Sequence, residues 1–112
     1  MAAEFDLTLT PAEKMGIHGL RAQVTTVEHH HHRHLSDIEQ ILAIADYSDA
    51  VYQRALAIFA AIAAAEGKIH KMPIEQVHFH EVGAIDSIVD VVAAALCIDY
   101  LAPTVVLSSA IE

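Results

Sequence analysis

A chain of 112 residues, 54% of them apolar, supports a single hydrophobic core and amounts to one domain or a piece of one. Its formal charge of −9 at pH 7 argues against nucleic acid or anionic membrane as a partner, since either needs a Lys/Arg surface, and is compatible with cations. No apolar run reaches the ~20 residues of a membrane span, and no basic start leads into an apolar stretch as in a signal peptide. The lone Cys97 lies inside an apolar run, which suits a buried thiol in a reducing compartment and places the chain in the cytoplasm.

Residues 4–10 alternate, with Phe5, Leu7 and Leu9 on one face and Asp6, Thr8 and Thr10 on the other, as in a half-buried strand. Pro11 and Gly16 punctuate a turn, and residues 20–27 read as a second strand. An antiparallel hairpin over residues 4–28 is expected. Residues 29–34 follow as a polar connection without periodicity. Ser36-Asp37-Ile38-Glu39 fits a capping box, opening a short helix whose apolar stripe is Ile38, Ile41, Leu42 and Ala45. Ser48 can cap a longer helix with Val51, Ala55, Ile58 and Ile62 at helical spacing and Gly67 as terminator.

Met72-Pro73 breaks that helix before an extended piece at residues 76–80. A third helix is expected to begin between Ala84 and Asp86 and to end before Pro103. Nearly all its residues are apolar, so it reads as buried on several sides. Residues 105–107 read as a strand, within a terminal segment at 104–109. The architecture expected is α+β: a β-hairpin, a helical part over residues 35–103 with three helices, and a short C-terminal strand, together an incomplete domain.

Five histidines within six positions, His29, His30, His31, His32 and His34, carry the most chemical information. Neutral imidazole suits nickel, zinc and copper, and so dense a run offers many overlapping arrangements, which favours capture and hand-over. A purification tag would sit at a terminus and would not be broken by Arg33. A low-complexity loop without function is the stronger competing explanation.

A second cluster lies in His78-Phe79-His80-Glu81-Val82-Gly83-Ala84-Ile85-Asp86-Ser87-Ile88-Val89-Asp90. In an extended segment His78 and His80 share one face while Val77 and Phe79 point into the core. Asp86 and Asp90 stack on one side of the following helix. Together with Glu81 they make a mixed nitrogen and oxygen set that fits Ni, Zn, Mn or Fe. Asp86 reads equally well as an N-cap, whereas Asp90, in so apolar a helix, needs a partner, either a metal or an Arg. A solvated strand face is the plain alternative for His78 and His80. His18 and His70 are isolated and read as surface residues. Nucleotide-binding and nucleophile motifs are absent. The residues support a metal-handling domain without revealing a reaction, and leave open a non-enzymatic metal buffer or metallochaperone module and a metal-dependent hydrolase.

The segments HHHHRHLSDIEQIL (29–42) and VHFHEVGAIDSIVDVVAAALCIDYL (77–101) resemble the nickel-insertion proteins that mature the nickel-pincer cofactor of lactate racemase. Gly16-Ile17-His18-Gly19, Arg54-Ala55-Leu56-Ala57-Ile58-Phe59 and Ala65-Glu66-Gly67-Lys68-Ile69-His70 fit the same pattern. The resemblance implies a lyase of nickel-chelatase type that inserts Ni²⁺ into pyridinium-3,5-bisthiocarboxylic acid mononucleotide, depends on CTP and is assisted by Mn²⁺ or Mg²⁺. It further implies a nickel reservoir at the His-rich loop and chemistry nearest the His78, His80, Glu81, Asp86, Asp90 cluster. The family's domain opens with a strand and glycine-rich turn and is followed by a nucleotide-associated C-terminal domain. This chain is therefore expected to be a fragment that lacks the nucleotide site, is inactive alone, and self-associates through uncovered apolar surface.

Overall fold

The computed structural model describes residues 5–27 and 32–111. Strands β1 (Phe5–Lys14) and β2 (Ile17–Thr26) form an antiparallel hairpin in register from Phe5↔Thr26 to Lys14↔Ile17. Met15 and Gly16 make the turn, both at positive φ (53° and 80°), as a two-residue hairpin of the primed type requires. Pro11 therefore lies within β1 opposite Leu20 and not in the turn. A two-stranded ribbon has only edge strands, where a missing N–H is tolerated.

Helix α1 (Leu35–Ile44) opens at His34 and not at Ser36. The His34 backbone N–H donates to Asp37 Oδ2 (2.8 Å), and its carbonyl accepts from the Asp37 and Ile38 amides (3.1 and 3.2 Å). Asp37 thus supplies the carboxylate that the sequence pattern placed on Glu39. Ile38 and Leu42 are buried, Ile41 is half-buried, and Ala45 is exposed just beyond the helix.

Helix α2 (Asp49–His70) is capped by Ser48, whose hydroxyl accepts from the Val51 amide at 3.3 Å. Every fourth residue along one ridge is buried: Val51, Ala55, Phe59, Ala63 and Gly67. Ile58 and Ile62 flank that ridge, half-buried. Gly67 does not terminate the helix, which runs on to His70 and ends with Lys71 in the left-handed conformation. The Gly67 carbonyl accepts from the Met72 amide (3.0 Å), and a Cβ on Gly67 would lie 2.9 Å from the Met72 oxygen. Glycine here lets the chain fold back on the helix end.

After a 3-10 turn at Ile74–Gln76, residues 77–80 run alongside residues 32–34, and α3 (Ile85–Leu101) follows. The N-cap of α3 is Ala84, so Asp86 sits in the first turn, where its Oδ1 accepts from the Ser87 amide at 2.8 Å. The core comprises Ile38, Leu42, Val51, Ala55, Phe59, Ala63, Val77, Phe79, Ile85, Ile88 and Ala95. Phe59 and Phe79 meet edge-to-face with ring centres 6.0 Å apart.

Two expectations for the C-terminal part fail. Only Ile85, Ile88 and Ala95 of α3 are buried; Cys97, Leu96, Tyr100 and Leu101 are exposed. Nothing among the described residues covers that face. Residues 105–107 form no strand, and Val105, Val106 and Leu107 are exposed. No helix among the described residues is long and apolar enough to cross a membrane.

Candidate metal site

The two histidine segments meet. Arg33 and Phe79 form an antiparallel bridge, with the Phe79 amide donating to the Arg33 carbonyl at 2.9 Å. Antiparallel pairing of 33 with 79 sets 32 opposite 80 and 34 opposite 78, and strand alternation sends those neighbours to the face away from Phe79. Val77 and Phe79 are each 2% exposed, while His78 and His80 are exposed, so the imidazoles stand outside a buried floor.

Ring positions follow that pairing. Centres of His34 and His78 are 4.0 Å apart, those of His32 and His80 are 4.7 Å apart, and the diagonal His32–His78 distance is 6.5 Å. His34 Nδ1 lies 3.2 Å from the Val77 carbonyl. This contact ties the His34 ring to the backbone of the segment that carries His78 and His80. An imidazole nitrogen sits about 2.0–2.1 Å from a tetrahedral ion, which places ligand ring centres roughly 3 Å from it and roughly 4.5–6 Å from one another. The observed spacings bracket that range. The nitrogens are not gathered on one point, however, and among the described residues no three His, Cys, Asp or Glu side chains are arranged to hold a metal ion.

The carboxylates stand differently from the expected set. Glu81, Asp86 and Asp90 are all exposed. The Glu81 carbonyl accepts from the Ala84 amide (3.1 Å) and the Ser87 hydroxyl (3.3 Å), fixing the turn that joins His80 to α3. Asp86 is engaged with Ser87, and Asp90, expected to need a partner for burial, lies on the solvent face of α3 and is not buried. His29, His30 and His31 lie outside the described residues. His18 is a surface residue 3.9 Å from Glu13, and His70 another, 3.2 Å from Glu66.

The neighbouring histidines make the run at 29–34 look aperiodic and mask that His32 and His34 are set apart by Arg33 in the same alternation as His78 and His80. That shared i, i+2 spacing was the available signal. The whole chain, residues 1–112, matches the family model described as nickel insertion protein. The chain belongs to the nickel insertion protein family.

Members similar to it include a pyridinium-3,5-bisthiocarboxylic acid mononucleotide nickel insertion protein of Clostridium acetobutylicum, 51% identical over 145 residues that take in 100% of this chain and 34% of that protein. A protein of the same name from Akkermansia muciniphila is 39% identical over 97% of this chain and 29% of its own length. A putative nickel insertion protein of Geotalea uraniireducens is 41% identical over 87% of this chain and 25% of its own length. The chain thus spans between a quarter and about a third of these relatives. No solved structure matches it.

Proposed function

We propose that this chain is the nickel-receiving part of a protein that inserts Ni²⁺ into pyridinium-3,5-bisthiocarboxylic acid mononucleotide, with the four-imidazole face of His32, His34, His78 and His80 as the place where the ion lands. The observation that carries this reading is the Arg33–Phe79 bridge, which brings imidazoles from two segments far apart in sequence onto one surface. Histidines His29, His30 and His31 extend the same donor set along the chain and serve as the reservoir. A face whose rings must turn to close on an ion suits transit better than storage, because a substrate metal has to leave again.

Imidazole supplies neutral, borderline donors that match Ni²⁺ in preference to Mg²⁺ or Ca²⁺. Glu81 in the adjoining turn and Asp86 and Asp90 on the first turns of α3 add negative charge that draws a divalent cation toward this end of the molecule. The finer parts of the proposal follow the family resemblance: insertion depends on CTP with Mn²⁺ or Mg²⁺, serves the pincer cofactor of lactate racemase, takes place in the cytoplasm, and requires more chain than these 112 residues. Apolar surface on α3 and residues 105–107 further suits self-association.

Calorimetric titration with Ni²⁺ tests the landing site. Replacing both His78 and His80 by Ala is expected to weaken binding by at least about tenfold, equivalent to about 1.4 kcal/mol. Unchanged affinity would remove the 78–80 segment from the site. The same pair of substitutions in a full-length relative, assayed for cofactor maturation with CTP, is expected to slow nickel insertion.

A further inference from the structure

Arg33 is the one residue that interrupts the histidine run at positions 29–34. We infer that it is a positioning residue, which fastens the 32–34 segment to the 78–83 segment and so holds the imidazole face in register. The inference rests on the reading that this face receives nickel, and it concerns how the face is assembled.

Two separate bonds carry it. The Arg33 carbonyl accepts from the Phe79 amide at 2.9 Å, and the Arg33 guanidinium Nη1 donates to the Gly83 carbonyl. These anchor points lie on either side of His80, so one residue fixes both ends of the stretch that carries it. Alternation puts the Arg33 side chain on the face opposite the imidazoles, where it is half-buried. Gly83 completes the clamp. A Cβ there would lie 2.8 Å from the Phe79 oxygen, 3.0 Å from the Phe79 Cβ and 3.3 Å from the Arg33 Cβ. Only glycine lets the 83 carbonyl come up to the guanidinium with Phe79 still in the core.

Electrostatics and positioning predict opposite signs, which makes the inference testable. A guanidinium near a divalent cation repels it, so removing the charge alone would tighten binding. Removing a clamp that orients metal ligands weakens it, by about ten- to hundredfold where such supports have been deleted. The parent for the test is the chain with His29, His30 and His31 changed to Ser, so that only the four described imidazoles report. Ni²⁺ affinity is read by calorimetry and the number of bound imidazoles by X-ray absorption.

Arg33→Ala is expected to weaken Ni²⁺ binding by about ten- to hundredfold and to lower the imidazole count, with the helical circular dichroism retained. Gly83→Ala should act in the same direction. Arg33→Lys, which keeps the charge but offers a flexible point donor, should recover part of the loss and is the deciding variant where Arg33→Ala costs helical signal. Arg21→Ala, on the exposed hairpin, serves as the charge control and should leave binding unchanged. Equal or tighter binding with the same imidazole count in Arg33→Ala would overturn the inference while leaving the nickel reading intact. Failure of the parent itself to bind Ni²⁺ would overturn the nickel reading, and the inference with it.

Discussion

The Tyr47 hydroxyl donates to the Leu42 carbonyl, one of the oxygens that the end of α1 leaves without an intrahelical partner. Burial, with a smaller contribution from the neighbouring Tyr52, pushes its pKa above the ordinary tyrosine value. A folded-state pKa raised above the unfolded one means that folding favours the protonated phenol. The corresponding stability is fully present below pH 10 and is lost as pH rises through the raised value. Alkaline spectrophotometric titration of the folded chain should therefore find Tyr47 ionising after an unshifted tyrosine would, and Tyr47→Phe should remove that late component. The same substitution should cost about 0.5–1.5 kcal/mol in urea denaturation, the worth of one such bond. At this scale the Ser48 cap was legible, because a serine before an apolar-periodic segment acts through a local bond. The Ser36–Glu39 box was not. Ser36 with Glu39 fits the sequence pattern and His34 with Asp37 does not, yet the tertiary pairing of residues 33–34 with 77–79 starts the helix at the earlier position.

Among the elements, α2 carries the core. Its buried ridge of Val51, Ala55, Phe59, Ala63 and Gly67 follows the i, i+4 row that helices use to pack against one another. Phe59 is fully buried at its middle, so Phe59→Ala should cost about 3–5 kcal/mol and broaden or abolish the thermal transition. Gly67→Ala sets two effects against each other. Alanine gains about 1 kcal/mol of helix propensity, but its Cβ would meet the Met72 oxygen at 2.9 Å. Backbone on both sides cannot yield cheaply, and the variant should melt below the parent chain. Of the expected stripe Val51, Ala55, Ile58 and Ile62, the first two are buried, and the last two flank the buried ridge. The packed row steps by four from Ala55 through Phe59 to Ala63 and Gly67, where small residues on either side of the one large ring let α1 and α3 come close. Helix α3, almost wholly apolar, read as buried yet keeps Leu96 44% and Tyr100 89% exposed. Composition shows that a face is apolar, not that anything covers it.

For the whole molecule, the hairpin, the three helices and their order were legible, since turn residues, caps and periodicity are local signals. Both histidine segments stood out in the sequence, but their convergence did not. It depends on a bridge between residues 33 and 79 that no local pattern announces. Exposed Leu96, Leu101, Val105, Val106 and Leu107 predict concentration-dependent association. A charge of −9 opposes it, so sedimentation should show association growing as salt screens the repulsion. Leu96→Glu with Leu101→Glu should abolish it; a chain that stays monomeric at high salt and high concentration would contradict this.

If the face works as proposed, imidazoles from both segments take one ion. A nickel-edge anomalous difference map from crystals soaked in Ni²⁺ tests it most directly. A peak is expected about 2 Å from imidazole nitrogens of at least one of His32 and His34 together with at least one of His78 and His80. A peak on one segment alone, or none on this face at a nickel concentration that saturates binding in solution, would contradict it.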